Sequence, residues 1–497
     1  MDKKENPEHL HELIRTLKKS ERRHFNMYSS IQGGDKLYMK MFSFFDQEGN
    51  PDPKEFLKKE GKNKKASWYS MAKNRTYNQV LNSLEDLHDD INSEITNHLT
   101  KAQILFNREL FALSFKHLNK AKNIALKNEC FALAYLASER EYKDTLNTNF
   151  EQKKYISLLK EQEDILALFN NAKSYYLLAQ KIYQFYLLHG TSIKAKEKII
   201  IDQFRKNPLL LNEKLALSIE AKEYYHIAHS FLYGMVGDYS NSHLQTKKRA
   251  ELYLKNAFKI NNNPYSYLYV LNNALVTSVY AKKYNEVLYY LKKVDELRPK
   301  LKADIEKKTA FYMRNHELAY HIELHQWDKA LETVKVVESE LPYYEQSLNE
   351  IQRRILFVFI AFIYFSTKEY KQAIFWLNKV LYKGAPKLRL DLFCFFSIIY
   401  FIVHYEAGSN RELLISIYKS GFRYISLKDK MTLFYSLMGK FMKAYLLKDI
   451  PKPVLLAGFK QLKKDLIKAE KISRKENAPI YFDFKPWIGL NIEKLSK

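Results

Sequence analysis

Small and apolar residues recur with helical spacing in two neighbouring stretches of the chain, Leu318–Pro342 and Ile360–Pro386. In each stretch they occupy positions i, i+4 and i+7, which lie on one face of an α-helix. A second helical pattern precedes each face, after a short polar turn. The pattern therefore predicts pairs of antiparallel helices. The residues concerned are Ala330, Val334 and Val337 in the first stretch, and Ala373, Leu377 and Val380 in the second.

The same arrangement recurs elsewhere along the chain. Val276–Pro299 places Val287, Leu291 and Val294 on one helical face, after an aromatic residue, Tyr284. A further copy near the N-terminal third uses Ala102, Phe111, Ser114, Leu118 and Ala121, and the segment Gly237-Asp238-Tyr239 indicates a fifth. Recurrence at a similar period predicts a repeat protein, in which each helix pair buries its apolar face against the next.

This repeat resembles the tetratricopeptide repeat. In the most complete copy, Ala361 is the small residue of the first helix, Tyr364 follows one turn later, and Tyr370 opens the second helix. Ala319 and Trp327 take the corresponding places in the copy upstream. The resemblance implies an all-α fold, an α-α superhelix built of helical hairpins, which we expect over residues 96–450. It also implies an extended concave surface suited to a protein or peptide partner.

The two ends differ from the repeats. We predict a helical, basic N-terminal region over 1–95, and over 451–497 a capping helix, Pro453–Arg474, with an aromatic tail. The opening, Leu13–Phe25 with Gly34-Asp35-Lys36, and the close, Tyr481–Leu490, resemble an uncharacterised group of bacterial helical-repeat proteins. That group carries no activity to transfer. The aromatic residues of the tail are Tyr481, Phe482, Phe484 and Trp487.

Composition supports long helices joined by short loops. The 497 residues include only 13 glycines and 12 prolines, which are the residues that break helices and build turns. Two cysteines, Cys130 and Cys394, exclude a disulfide framework and a four-thiolate metal site. The segment Met1–Lys19 is charged and lacks the apolar run of a secretory signal, so we expect a cytoplasmic protein.

Two apolar stretches, Ile355–Phe365 and Leu392–Val403, raise the question of a membrane span. Each falls well short of the roughly 18 apolar residues that a transmembrane helix needs. We therefore expect two buried helices and no membrane span.

Catalytic and cofactor motifs are absent from the sequence. Gly33-Gly34-Asp35-Lys36 lacks the spacing of a phosphate-binding loop. His316 and His321 are five positions apart, too far for the zinc-protease motif, in which two histidines at i and i+4 share a face. His321 and His325, like His226 and His229, have closer spacing, but we expect structural roles for them. The sequence thus predicts no enzyme, no cofactor and no bound metal.

Some tetratricopeptide proteins hold a terminal carboxylate with Lys, Asn and Arg on the concave face of the first helix. Here the matching positions are apolar in one unit and mixed in the other, so that clamp is not predicted. A groove at these positions would favour apolar or aromatic contacts, or be filled by neighbouring helices; for Phe362 and Phe365 we expect filling. The positions are Val358, Phe362 and Phe365 in the unit of Ala361, and His316, Tyr320 and Glu323 in the unit of Ala319.

The net charge of +25 raises the alternative of nucleic-acid binding. The excess of lysine is spread along the chain, and its densest run lies between residues 54 and 75. Aromatic residues within that run could stack on bases beside the phosphate contacts of the cations; a solvated basic loop is the simpler interpretation. The candidate nucleic-acid-binding residues are Lys62, Lys64, Lys65, Trp68, Lys73 and Arg75.

Two hypotheses follow from the sequence. The first is a non-enzymatic interaction or scaffold protein whose solenoid holds a protein or peptide partner. The alternative is a nucleic-acid-binding regulator, with a basic N-terminal region and a helical-repeat sensor.

Overall fold

The computed structural model describes residues 8–31, 36–47, 52–60, 66–87, 90–148, 152–191, 195–301, 303–381, 389–427, 433–472 and 484–497. Over this part of the chain the regular secondary structure is helical, without a β-strand. The chain divides into two compact units, Met1–Tyr155 and Ile156–Lys497. The division into 1–95, 96–450 and 451–497 made from the sequence stays a prediction.

The first unit contains eight helices among its described residues. Its N-terminal half buries the apolar faces of α1, α2, α3 and α5 in one core, and α6, α7 and α8 pack in sequence as successive antiparallel neighbours. The helices are α1 (Glu8–Thr16), α2 (Lys19–Ile31), α3 (Lys36–Phe45), α4 (Pro53–Glu60), α5 (Ala66–Asp86), α6 (Ile91–Phe106), α7 (Phe111–Lys127) and α8 (Phe131–Thr148).

The second unit is a longer series of helices, each packed mainly on its neighbours in sequence. Its first helix, α9, begins just before the boundary between the units. The helices are α9 (Gln152–His189), α10 (Ala195–Arg205), α11 (Pro208–Leu211), α12 (Ile219–Met235), α13 (Tyr239–Lys255), α14 (Ala257–Asn262), α15 (Pro264–Tyr280), α16 (Tyr284–Leu297), α17 (Ala303–Glu323), α18 (Trp327–Tyr344), α19 (Glu350–Ser366), α20 (Tyr370–Leu381), α21 (Leu390–Glu406), α22 (Arg411–Leu427), α23 (Leu433–Phe441), α24 (Lys452–Ile472) and α25 (Phe484–Ser496).

Within the described part of the chain, one turn geometry joins the helices of seven hairpins. In each, a residue with left-handed backbone ends the first helix, and the N–H of the next residue donates to the carbonyl five positions earlier, at 2.8–3.0 Å. This is the Schellman arrangement, which satisfies the last carbonyl groups of a helix. Because the same turn recurs, positions counted back from the left-handed residue are structurally equivalent in these hairpins. The left-handed residues are Glu109, Glu129, Gly237, Lys282, His325, Lys368 and Gly408.

An aromatic residue follows the left-handed residue by two positions in six of these turns and opens the second helix. The turn aromatics predicted from the sequence, among them Tyr370, Trp327 and Tyr284, all occupy this place. The predicted apolar faces of the second helices are buried as well: Ala373, Leu377 and Val380 are fully inaccessible, and so are Ala330, Val334 and Val337. The sequential all-helical packing predicted from the repeats is confirmed.

The two apolar stretches lie inside the helical core. α19 and α21 bury most of their side chains, and within the described residues no helix is long and apolar enough to cross a membrane. At the C-terminal end, Phe484 packs on Phe395, and the Trp487 indole N–H donates to the Glu406 carboxylate at 2.7 Å. These two aromatic residues pack on α21, while Tyr481 and Phe482 lie outside the described residues, so the capping role of the tail stays a prediction.

Candidate functional site

A cavity of about 320 Å³ lies within the second unit, bordered by the first helices of successive hairpins. Its walls come from α9, α12, α15, α17 and α19, and the second helix α13 also contributes. The volume lies at the lower end of the range typical of small-ligand sites.

The shared turn defines which side chains face the cavity. Positions ten, six and three residues before the left-handed residue form a stripe along each first helix, because these spacings fall on one helical face. In α12 this stripe is Ile227, Phe231 and Gly234, and all three line the cavity. In α17 it is Asn315, Ala319 and Ile322, which also line the cavity. The stripe is therefore the inner face of the array.

The turn also corrects one position in the sequence-based alignment. Counting back seven residues from the left-handed residue, Ala361 of α19 corresponds to Leu318 of α17, and both are fully buried. Ala319, predicted as that packing residue, lies one position further on and faces the cavity. The helix pair accommodates a leucine at the packing position here. An alignment based on small residues alone therefore placed α17 one residue out of step with α19.

Side-chain volume decides where the inner face is open. The α19 stripe is Val358, Phe362 and Phe365, and none of these residues lines the cavity. Val358 and Phe362 are buried, and the Phe362 ring lies 5.7 Å from that of Trp327. This agrees with the expected filling of the groove at Phe362. α19 instead borders the cavity with Ile355 and Phe359, so large side chains fill its stripe, whereas Ala319 leaves the α17 stripe open.

Carboxamide groups are the most distinctive feature of the open part. On α15, Asn272 accepts a hydrogen bond of 2.8 Å from Nε2 of His316 on α17. The adjacent Asn273 lines the cavity, and its side chain makes no hydrogen bond within the described part of the chain. The Oδ1 atom of Asn315 is buried and also has no hydrogen-bond partner there. This oxygen is covered by the surrounding protein atoms, and its missing donor costs free energy.

Hydroxyl groups cover the floor, which α13 provides. α13 packs on α15, and its Ser242 and Thr246 line the cavity. Thr246 Oγ1 lies 2.6 Å from Thr277 Oγ1, and the Ser242 hydroxyl donates to the carbonyl of Ser230 at 2.9 Å. The hydroxyls already have partners in the fold, so they give the floor a polar but uncharged character.

A buried ion pair stands at the edge of this floor. Arg249 lines the cavity, and its Nη2 donates to Glu223 Oε1 at 2.6 Å. Burial alone would raise the pKa of the Glu223 carboxyl, but the charges of Arg249 and Lys259 outweigh burial and hold that pKa below its ordinary value. Arg249 is thereby neutralised from within the fold.

Aromatic rings form the opposite wall. The Phe231 ring lies 5.1 Å from Tyr183 and 5.0 Å from Tyr186. Arg389, at the start of α21, donates to the Tyr186 hydroxyl at 2.7 Å, and its backbone N–H donates to the Leu187 carbonyl at 3.0 Å. These bonds join residues some 200 positions apart, so the array from α9 to α21 curves back on itself around the cavity.

Two histidines, His226 and His316, line the cavity. Burial lowers the pKa of His316 to about 3, and it also lowers the pKa of His226, whose Nδ1 donates to Gln245 Oε1 at 2.8 Å. His229 donates to the Leu210 carbonyl, and His321 donates to Gln326. These four histidines are thus held by hydrogen bonds of the fold. In the part of the chain that the structure describes, no group of three or more metal-ligating side chains is assembled.

The candidate nucleic-acid residues are only partly described. Lys62, Lys64 and Lys65 lie outside the described residues, so their proposed role stays a prediction. Trp68, Lys73 and Arg75 lie on α5; Arg75 is exposed, whereas Trp68 packs partly buried against the N-terminal core.

Charge is distributed unevenly between the two units. The first 155 residues carry 27 Lys and Arg against 22 Asp and Glu, whereas the remaining chain carries 54 against 34. Most of the net charge of +25 therefore belongs to the second unit and not to the N-terminal region. This weakens the argument that links the total charge to the run at 54–75.

Asn273 and Asn315 were not among the residues singled out from the sequence. A usable signal exists, because both α15 and α17 carry a polar pair, Asn272-Asn273 and Asn315-His316, at the same distance before the turn. The equivalence of the two pairs becomes visible only when positions are counted back from the left-handed residues Lys282 and His325. The sequence-based alignment, which is wrong by one residue at Ala319, hides it.

Comparison of the chain with known protein families, with curated proteins and with solved structures finds no match.

Proposed function

We propose that the chain is a non-enzymatic interaction protein of the tetratricopeptide type, related to the bacterial helical-repeat group that its ends resemble. In this proposal the helical array binds a segment of a protein or peptide partner in the cavity between α9 and α19. The observation that carries it is the cavity itself, where aromatic rings of α9 and α12 line the same space as the Asn273 side chain, which makes no hydrogen bond within the described residues. A carboxamide without a partner in the fold can both donate to and accept from a ligand.

The mixture of groups that line the cavity supports a polypeptide as the ligand. Peptide sites combine polar contacts to the main chain with pockets for side chains. Asn273 and Asn315 offer the first, and the rings of Tyr183, Tyr186 and Phe231 offer the second.

The test fills the cavity without altering the packing of the helices. Ala319→Phe gives α17 the residue that α19 carries at the same position, and Val336→Phe, on the exposed face of α18, is the matched control. Peptides are selected from a random display library on the full-length protein, then synthesised and measured by calorimetry. We expect wild type and Val336→Phe to bind alike, and Ala319→Phe to bind at least tenfold more weakly. Equal binding to all three proteins, or no enriched peptide, would refute the proposal.

A second candidate function is nucleic-acid binding, favoured by the net charge of +25 and by the exposed Arg75 in the basic N-terminal run. Binding of this kind weakens steeply as salt rises, because phosphate contacts release counterions. Charge reversal at Lys62, Lys64 and Lys65 should then reduce affinity for DNA or RNA more than reversal at Lys460, Lys463 and Lys464 of α24. Equal losses in the two variants would indicate nonspecific attraction only.

A further inference from the structure

One edge of a largely buried guanidinium is open to the cavity. Arg249, which lines the cavity, directs its Nε and Nη2 atoms to one oxygen of Glu223, at 3.1 and 2.6 Å. Its third nitrogen, Nη1, makes no hydrogen bond within the described part of the chain. Unlike the Asn315 oxygen, Nη1 is not covered by protein atoms, although only 8% of the surface of Arg249 is accessible. Nη1 can therefore donate to a ligand.

A second available donor lies opposite Arg249, on α15. The two threonine hydroxyls of the floor meet toward one end of the α13–α15 pair, and the rings of Tyr253 and Tyr267 stack toward the other end, with centroids 5.6 Å apart. Arg249 lies between these two contacts on α13, and Asn273 lies between them on α15, so the two side chains are at the same level of the cavity. The Asn273 carboxamide also has no partner within the described residues.

The charged cluster behind Arg249 carries one positive charge in excess. Glu223 offsets one cation, but two cations face it, because the Lys259 ammonium lies 3.7 Å from its second oxygen. Together they hold the pKa of the Glu223 carboxyl below its ordinary value, so this carboxyl is ionised. An excess charge in a poorly solvated place costs free energy, and an anionic ligand would offset that cost.

A carboxylate fits these donors. Its two oxygens can accept from Arg249 Nη1 and from Asn273 Nδ2, and its single negative charge matches the excess. A phosphate dianion would leave one negative charge without a partner in the same partly buried place.

Apolar side chains line the cavity beyond this end. From Asn273 to Tyr280, α15 rises about 10 Å, and Val276 and Val279 border the cavity along that length. The aromatic rings of α9 and α12 line the same space. The cavity therefore has a cationic, hydrogen-bonding end and an apolar remainder.

We infer that the cavity binds a carboxylate attached to an apolar or aromatic body about 10 Å long, held by Arg249 Nη1 and the Asn273 carboxamide. The inference rests on the proposed function in that it concerns the same cavity. The carboxylate belongs either to the end of a bound peptide or to a small organic acid, and the contacts are the same for both sources. Arg249 lies on a second helix, so the site differs from the first-helix clamp of some tetratricopeptide proteins.

The test compares acids with their neutral amides. The small probes are phenylbutyrate and phenylbutyramide, and the peptide probes are an N-acetylated tripeptide of two alanines and a phenylalanine with a free or an amidated C-terminus. Binding to the full-length protein is measured by calorimetry at physiological ionic strength. We expect the acid of a pair to bind wild type roughly tenfold more tightly than the amide, because only the acid makes charge-assisted hydrogen bonds to Arg249.

Two variants remove the site while keeping the buried ion pair. Asn273→Asp places a carboxylate of the same size beside Nη1, so it should bind acid no more tightly than amide and, without ligand, should have a raised melting temperature. Arg249→Lys keeps a cation for Glu223 but lacks Nη1, and it should also lose the preference for acid. The control Asn285→Asp adds the same charge at an exposed position of α16 and should keep both the preference and the melting temperature of wild type.

The outcomes separate this inference from the proposed function. Binding of the small acid with the expected preference, while no display peptide is enriched, would support the inference and contradict the proposed function. Peptides that bind equally well as acid and as amide would contradict the inference and leave the proposed function intact. A preference for acid that persists in both site variants would assign it to the diffuse positive charge of the chain and overturn the inference, as would failure of every acid to bind.

Discussion

The first helices of two neighbouring hairpins, α17 and α19, occupy equivalent places in the array but present opposite surfaces. Both end in the same left-handed turn, at His325 and Lys368, so their stripe positions coincide. At the position six residues before the turn, α17 carries Ala319 and α19 carries Phe362. The turn geometry is shared, but Ala319 lines the cavity, whereas the larger Phe362 packs beside Trp327.

This difference shows that the residues required for helix pairing are distinct from the residues that determine the cavity. The positions that hold the hairpin together, such as Ala330 and Ala373 in the second helices, are fully buried in both pairs. The inner stripe is outside that interface, so its residues vary without loss of the fold. A ligand site can therefore form at one pair while the next pair remains closed.

The largest expected effect comes from emptying the filled face. Phe362→Ala should lower the free energy of unfolding of the α19 region by about 3–5 kcal/mol, because it leaves a void beside Trp327. The converse change, Ala319→Phe, should alter the stability of the α17 region by less than about 1 kcal/mol, because the added ring enters existing space. Hydrogen exchange of the amides of each helix measures the two effects.

Equal losses at the two positions would contradict the comparison. That result would mean that the side chains around Ala319 already touch one another and that the cavity cannot accept a ring. Val336→Phe, on the exposed face of α18, shows how far an added ring affects stability at a site without packing constraints.

An intermediate effect concerns pH and the polar pair of α17. Burial lowers the pKa of His316 to about 3 from an ordinary 6.5, so between these values the unfolded chain binds a proton that the folded chain does not. Stability then falls as pH decreases, by about 1.4 kcal/mol per pH unit. The variant His316→Gln keeps a donor for Asn272 and does not titrate. Between pH 6.5 and 5 its unfolding free energy should fall by about 2 kcal/mol less than that of wild type.

Denaturant titrations at several pH values, followed by hydrogen exchange in α17, test this expectation. The other buried histidines of the described residues, His226, His243 and His404, also have a lowered pKa, but they are present in both proteins and cancel in the difference. Parallel curves for wild type and His316→Gln would show that His316 is protonated in the folded state. The exposed His9, changed to Gln, is the control.

The helical hairpins could be predicted from the sequence, whereas the cavity could not. The hairpins were predictable because small residues at i, i+4 and i+7, with a turn aromatic, are required wherever two helices approach closely. The sequence pattern of that copy ends at Pro342, but in the structure Pro342 lies inside α18, shortly before that helix ends. Such boundary details depend on the turn and on tertiary packing, which the periodic pattern does not contain.

The cavity was not predictable in the same way. Its residues carry no common motif: Asn273 and Asn315 gain meaning only when the turn fixes which face each occupies. A shift of one residue rotates a helix position by about 100°. The alignment of Ala319 with Ala361 therefore predicted His316, Tyr320 and Glu323 as the inner-face residues and did not include Asn315. The closure between Arg389 and Tyr186 is equally remote from any local pattern.

The smallest expected effect concerns the left-handed turn, which ends α17, α19 and α21 at His325, Lys368 and Gly408. Gly408 has φ +72°, and a Cβ added there meets no atom within 4 Å, so the cost of Gly408→Ala comes from backbone strain alone, about 1 kcal/mol. Lys368 has φ +66° at the same position of its own turn, so Lys368→Gly should relieve that strain and gain somewhat less than about 1 kcal/mol, since glycine also loosens the unfolded chain. Thermal unfolding of the two variants tests both signs. A loss of stability in Lys368→Gly would mean that the lysine side chain contributes contacts of its own, and the turns would then differ from hairpin to hairpin as the inner faces do.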